Sequence, residues 1–470
     1  MGTPIGPHLR TGLPVCFSPM NWFGEGYITA PGLIVLGLNG FGKSSLVRRM
    51  VTGGMAQGIT PLILADVKPD YRQLIEDVGG QVIDLGYGAG TINPLDPGVL
   101  GQAVVRLEQA GKTEAAAKLR RELHARQETM VAALIELVRG ERVHDYEETV
   151  LATAIRTLFT SQFDDGYGFT MTNAPTLSDL SRALETGGGT DINGDLETRK
   201  HMTDLQRAVA ADSAEEYRAT TKGLRRSLQA LILGPFGAVF DGQTTDPLDL
   251  SSVGICVDVS SIPSGDKKLK AAVMLASWSA GFAAVEAHNV LADEGIERQR
   301  LFQVVMDELW HVLSLGPFMG ERVDELSRLQ RGIGCELILC SHSFSDLDGA
   351  AGLLERCPVK AFFALPPAEL DRLKGQVGFT AYERELVTGW AAAQSLIGDR
   401  RRAHHGSDEP QPIPAPVGAG KCLLKIGQDG TPGIPVYVFQ PPAEREWGIN
   451  STSSRFDGLG QRGQGEGEVA

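Results

Sequence analysis

Membrane-length apolar runs are missing from this chain of 470 residues. The most apolar run, Ala271 to Val285, is too short to span a bilayer and carries Ser277, Ser279 and Gly281, so it reads as a buried helix. Met1 to Arg10 shows no charged stretch followed by an apolar one, so no secretory signal is expected. Cysteine is scarce. Its six copies (Cys16, Cys256, Cys335, Cys340, Cys357, Cys422) form no C-x-x-C pair and have no histidine at ligand spacing, which excludes a disulfide scaffold and a zinc module. They read as buried thiols of a reducing cytoplasm. Aromatic residues, 6 % of the chain, are too few for a sandwich built on aromatic layers. Positive charge is also short: 44 basic against 58 acidic residues gives −14, which excludes a uniformly basic DNA-coating surface while leaving local basic stripes open. Glycine is abundant at 57 residues, and 42 % hydrophobic with 22 % charged residues is ordinary globular usage, so a wholly disordered or fibrous chain is excluded too. The length implies two or three structural units, and the composition points to an α/β fold.

Gly32-Leu33-Ile34-Val35-Leu36 is a short apolar run entering a glycine-rich turn, after which Ser44 to Met50 takes on helical character. A second run, Pro61 to Ala65, ends at Asp66 and leads to a helical pattern at Tyr71, Leu74, Ile75 and Val78; Gln81 to Leu85 reads as a third strand. Strand, helix and strand in alternation signal a mostly parallel sheet with helices on its faces. Over residues 101–235 the period becomes helical throughout, as in Val131, Leu134, Ile135 and Val138, so this stretch is expected to be a large all-helical insertion. Strands return at Gly254 to Val259, Leu301 to Met306, Glu336 to Cys340 and Val359 to Ala364. From Asp399 to Pro416 comes a breaker zone with three arginines and four prolines, then a hairpin of Lys421 to Ile426 and Pro435 to Phe439 turning through Gln428-Asp429-Gly430. Residues 448–470, rich in Gly, Ser and Gln, are expected to be disordered.

The strongest chemical signal is Gly37-Leu38-Asn39-Gly40-Phe41-Gly42-Lys43-Ser44, which matches G-x-x-x-x-G-K-[ST] between a strand and a helix. The glycines let backbone N–H groups wrap phosphates, and the helix start adds its positive dipole end. Lys43 neutralises β- and γ-phosphate charge, the Ser44 hydroxyl enters a Mg²⁺ shell, and Ser45 offers a second hydroxyl. Hydrolysis further needs a carboxylate at the end of a buried strand. Leu301 to Met306 supplies Asp307, suited to hold Mg²⁺ through a water, and Glu308, suited to act as general base on the attacking water. His342, just past the strand Glu336 to Cys340, is a candidate γ-phosphate sensor or a plain cap. Arg328 and Arg331 are candidate arginine fingers for a neighbouring subunit's nucleotide. Asn93-Pro94 reads either as a helix cap or as part of a nucleotide pocket, and Asp66 as a strand-end cap or a ligand. Basic residues available to nucleic acid are Lys222 to Arg226, Lys267-Lys268-Leu269-Lys270 and Arg400-Arg401-Arg402.

The order of these motifs resembles a family. The P-loop, Leu64-Ala65-Asp66-Val67-Lys68-Pro69-Asp70-Tyr71, Ile92-Asn93-Pro94-Leu95-Asp96, Pro175 to Leu180, Gly237 to Gly242 and Asp307-Glu308-Leu309-Trp310 together are similar to the motor domain of type IV secretion and conjugal-transfer ATPases, of the HerA/FtsK group of RecA-like motors. The likeness runs from about Gly6 to Trp447, and the opening, Gly6-Pro7 through Pro31, looks most like ATP-binding proteins of actinobacterial conjugation clusters. It implies residues 1–100 and 236–400 as two halves of a motor domain, 101–235 as its insertion, 401–447 as linker and closing strand pair, and 448–470 as tail. It further implies ATP and Mg²⁺ as ligands, a homo-oligomeric ring of most often six subunits, membrane-bound secretion subunits as partners, DNA as a possible substrate, and a cytoplasmic location at the inner face of the membrane. His342 stands where the family usually has Gln. The large domain that commonly precedes the motor is absent before the P-loop, so its membrane contacts are expected from a separate subunit. A HerA-like soluble translocase and a nucleotide-gated scaffold that does not hydrolyse ATP are the alternatives, and Glu308 argues against the second.

Overall fold

The computed structural model describes residues 2–162, 166–187, 203–315, 319–323, 335–344, 352, 356–391, 416–427 and 430–442. Two compact units are present: Met1–Gly58 with Glu336–Leu347 and Leu354–Ala470, and Ile59–Cys335 with Asp348–Leu353. Each is described by itself.

The first unit centres on β3 (Gly32–Leu36), whose five residues are all buried. A strand covered on both faces needs no polar alternation, which is why it reads as a continuous apolar run. It lies between β8 (Cys335–Ser341) and β9 (Val359–Phe362), parallel to both, with Leu36 opposite Ser341 and Phe362. Beyond β9 the pairing turns antiparallel through β10 (Lys421–Ile426) and β11 (Ile434–Tyr437). Helix α1 (Pro19–Gly24) precedes β3, and α2 (Lys43–Met55) follows it. One strand pair has no counterpart in the hydropathy pattern. β1 (Thr3–Pro7) and β2 (Pro14–Phe17) form an antiparallel hairpin, and Ile5 O accepts from Phe439 N at 2.8 Å past the end of β11.

The second unit carries the parallel strands β4 (Ile59–Asp66), β5 (Gln81–Asp84), β6 (Ile255–Asp258) and β7 (Leu301–Met306) in the order β7-β4-β6-β5. Short α3 (Arg72–Asp77) links β4 to β5. Between β5 and β6 the described regular elements are all helices: α4 (Gly98–Gln109), α5 (Thr113–Arg139), α6 (Asp145–Phe159), α7 (Leu177–Thr186), α8 (Asp204–Ala208), α9 (Ala214–Thr220), α10 (Lys222–Leu233) and α11 (Gly237–Phe240). The apolar run around Ala271 is the middle of α12 (Lys267–Asp293), which is buried along most of its length. It packs on β4 through Gly281, where a Cβ would come within 2.3 Å of Leu64, and through Trp278, whose indole N–H donates to Leu64 O at 2.7 Å. Four cysteines are buried, Cys335 is half-buried, and Cys16 is exposed, contrary to the uniform burial expected from the sequence.

Several family-like strings prove to be joinery of this unit. Asn93 is buried; its amide donates to Pro175 O at 2.9 Å and its carbonyl accepts from Leu95 N at 3.0 Å. Thr176 and Asp179 form the capping box of α7, and Asp241 accepts from both Ser178 N and Ser178 Oγ at 2.9 and 2.7 Å. Asn93 therefore holds the segment that starts α7. Each of these polar bonds fixes where a loop ends and a helix begins.

Candidate nucleotide site

In the first unit, β3 runs directly into the loop Gly37 to Gly42. Gly40 and Gly42 have φ of 81° and 106°, a region open to glycine, and a Cβ on Gly37 would sit 2.5 Å from Phe363 Cβ. Gly42 is the N-cap of α2 and offers no side-chain hydrogen bond, and no acidic residue occupies the first turn. The α2 start therefore keeps backbone donors and a positive dipole end that no side chain of its own neutralises. Lys43 is buried yet aimed back along the loop, its ammonium donating to Gly37 O at 2.7 Å and Leu38 O at 3.3 Å. His342, one residue past β8, brings Nδ1 to 3.1 Å from Lys43 Nζ. The pairing of β8 with β3 explains this meeting across 299 residues. Leu38, Asn39 and Gly40 are exposed, while Phe41, Ser44 and Ser45 are half-buried. Phe41 O accepts from Gly420 N at 2.9 Å, so the entry to β10 braces the loop.

In the second unit, acidic groups gather past the ends of β4 and β7. Asp307 is half-buried; its Oδ2 accepts from the Tyr71 hydroxyl at 2.8 Å, and its Oδ1 from Glu308 N at 2.8 Å. Burial and the Glu308 charge push its carboxyl above the usual range, against the Tyr71 hydrogen bond. Asp66 accepts from Tyr71 N and Asp70 N at 2.8 and 3.2 Å, which makes it the cap of the turn into α3. Burial raises its carboxyl well above the ordinary value despite those bonds. Glu308 is buried and binds Lys68 Nζ through Oε1 at 2.5 Å and the Trp310 indole N–H through Oε2 at 2.6 Å. Partial burial is the largest single influence and works against the Lys68 charge, but the bond and charge of Glu308, together with the charges of Asp307 and Asp70, leave the ammonium above its usual range. Lys270 on α12 is buried and held below the usual lysine range by desolvation, with Glu308 pulling the other way.

Two lysines thus stand among four carboxylates: Asp66, Asp70, Asp307 and Glu308. Carboxyls driven upward by burial and by one another suit a divalent cation, which Mg²⁺ meets with one or two protein carboxylates, waters and substrate phosphates. Among the described residues no three acidic, imidazole or thiol groups converge on one point, so only one or two of these carboxylates, Asp307 among them, would serve such an ion, with waters and phosphates completing its shell.

Lys68 and Tyr71 carry no role in the reading of the sequence, although both lie in the string Leu64 to Tyr71. Their partners are 240 and 236 residues away, beyond the reach of any local pattern. Lys270 corrects the basic cluster at 267–270: helix α12 turns it inward, so only Lys267 and Lys268 of that run are exposed. Arg328, Arg331 and Arg400 to Arg402 lie outside the described residues, as do residues 448–470.

No family model and no curated protein matches the chain. Among solved structures, VirB4 of Thermoanaerobacter pseudethanolicus superposes over 94 % of this chain and 98 % of its own, with a TM-score of 0.64 and 18 % identity. The chain has the VirB4 fold. The bacterial conjugative coupling protein TrwBdeltaN70 covers 94 % of this chain and 91 % of its own at 13 % identity, with a TM-score of 0.47, too loose a superposition to add to that. The likeness to VirB4 takes in almost all of both chains and shows a shared α/β fold, whose mostly parallel strands agree with the RecA-like P-loop architecture expected from the motif order.

Proposed function

We propose that this protein is an ATP-hydrolysing motor of a conjugation or type IV secretion-like apparatus, energising transfer of DNA or protein. The observation that carries the reading is the α2 start: an N-terminus without a side-chain cap, approached by glycines at positive φ, with Lys43 folded over the loop. Gly37 to Gly42 wrap the phosphates with backbone N–H groups, Lys43 neutralises β- and γ-phosphate charge, and the hydroxyls of Ser44 and Ser45 face the metal and a phosphate. The Ser44 hydroxyl would enter the Mg²⁺ shell and Asp307 would hold the ion through a water, and the ion when bound would supply charge neutralisation at the phosphates. Glu308 accepts the proton of the water that attacks the γ-phosphorus as the bond to the β-phosphate oxygen breaks and ADP leaves. His342, in contact with Lys43, is suited to sense whether the γ-phosphate is present.

In this reading Arg331, or else Arg328, reaches the nucleotide of a neighbouring subunit in a six-membered ring. Membrane contact falls to partner subunits at the inner face. No helix among the described residues is long and apolar enough to cross a membrane. The test is phosphate release by purified protein with Mg-ATP, with and without single- and double-stranded DNA, alongside its mass in solution. Mg²⁺-dependent turnover by a ring-sized assembly is expected. A monomer at saturating Mg-ATP that releases no phosphate would refute it.

A further inference from the structure

Three non-glycine residues among those described have positive φ: Ala65 at 81°, Ala210 at 50° and Glu308 at 55°. Two of the three flank one contact. Ala65 is the last residue but one of β4, Glu308 is the second residue past β7, and the segments they begin meet in the Lys68–Glu308 ion pair. Left-handed backbone at a residue with a Cβ is strained and persists only where the surroundings enforce it. Here the enforcement is visible. The Glu308 carboxylate is gripped by Lys68 at Oε1 and by Trp310 at Oε2, and its own N–H is taken by Asp307.

A general base must offer a lone pair to water. Each donor on the Glu308 oxygens occupies a lone pair and stabilises the anion, and the cationic donor does so most strongly. The two grips differ in how easily they open. Trp310 sits two residues away at the start of α13 (Trp310–Leu313), whereas Lys68 lies on the turn after β4 with a side chain 57 % exposed. An ion pair with one member this exposed is weakly held, so the ammonium can leave the carboxylate for water at small cost.

We propose that Lys68 is a restraining residue, which holds Glu308 in a strained resting position and lets it act as base only when the ion pair opens. This rests on Glu308 being the base, and the experiment separates the two ideas. Steady-state phosphate release by the full chain is measured for the parent and for Lys68→Met, Lys68→Arg and Glu308→Gln, with ATP binding followed in the same preparations. Lys68→Met is expected to raise kcat by about 3- to 10-fold with KM for ATP changed less than about twofold, since the pair opens before chemistry rather than on binding. Lys68→Arg, which keeps a cation on Oε1, is expected to return kcat to the parental value. A purely structural role for Lys68 would lower kcat or shift KM. A kcat for Lys68→Met at or below the parent's, while Glu308→Gln is inactive, overturns the restraint and leaves the base assignment standing. Parental turnover in Glu308→Gln overturns the base assignment, and the restraint with it.

Discussion

Removing Lys425 should cost the first unit far more stability than its single charge suggests. Lys425 lies on β10, and its ammonium reaches Glu383 at 3.0 Å and Thr431 O at 2.7 Å, with side chains of the pair only 1 % and 5 % exposed. Glu383 belongs to α15 (Ala381–Trp390), preceded by α14 (Pro367–Arg372), and also accepts from Thr380 N and Gly433 N. Burial alone would raise its carboxyl, but those two N–H groups and Lys425 together bring it below the usual range. Lys425→Met leaves a buried carboxylate without its counter-ion, at a cost of about 3–5 kcal/mol, a large share of the ~5–15 kcal/mol that keeps a domain folded. At roughly 2–4 °C per kcal/mol for a domain of 150–250 residues, the melting temperature falls by about 6–20 °C. Because β10 begins beside Gly420, which donates to Phe41 O, the P-loop loses a brace as this edge loosens.

The sign with pH follows from the depressed carboxyl of Glu383. Its stabilisation of the parent is complete above the unfolded carboxylate pKa of about 4.3 and is lost as pH falls through the lower folded value. In Lys425→Met burial is opposed only by the backbone donors, so protonation relieves the variant while it weakens the parent, and the gap between them closes in acid. Urea unfolding followed by circular dichroism at neutral pH and near pH ~4 measures both effects. A loss under about 1 kcal/mol at neutral pH, or a gap that widens in acid, would refute the reasoning.

Replacing both members of the pair, Lys425→Met with Glu383→Leu, should recover most of the stability lost by the single change, since neither charge is then stranded; the same urea titration checks it. Asn93→Ala should cost about 1–3 kcal/mol by leaving Pro175 O and Leu95 N without their side-chain partner, read as a lower urea midpoint with an unchanged slope. Arg331→Ala, or failing that Arg328→Ala, should cut turnover by about 10³-fold or more while ATP still binds. Mixing it with Glu308→Gln subunits should restore part of the rate, because each supplies what the other lacks. Full activity of an arginine-less monomer would exclude a shared site.

The core strands were legible because buried parallel strands are nearly continuous apolar runs: β3 spans the same five residues in pattern and in fold, and β7, broken only by Gln303, the same six. The P-loop was legible because all its parts are consecutive. β1 and β2 were not, since their residues TPIGP and PVCF include prolines and a glycine and lack alternation; backbone pairing with each other and contact beyond β11 holds them, which hydropathy does not encode. Nor was the burial of Lys270 legible, because a lysine one turn into a helix reads as solvated until the packing of α12 is known. The acidic pair after β7 was found from its strand, but the grip of Lys68 and Trp310 on Glu308 and of Tyr71 on Asp307 depends on two strand ends meeting in space. Asn93 left two roles open, and its bonds to Pro175 and Leu95 favour the structural one.

The most direct test of the account is Lys43→Ala, assayed for Mg²⁺-dependent phosphate release and for binding of a fluorescent ATP analogue, with circular dichroism as the check on folding. Lys43 donates to Gly37 O and Leu38 O, so its loss removes two bonds from an exposed loop while β3 and α2 keep their packing, and a folded protein is expected. No measurable hydrolysis and sharply weakened nucleotide binding are expected. Parental hydrolysis by the folded variant would contradict it.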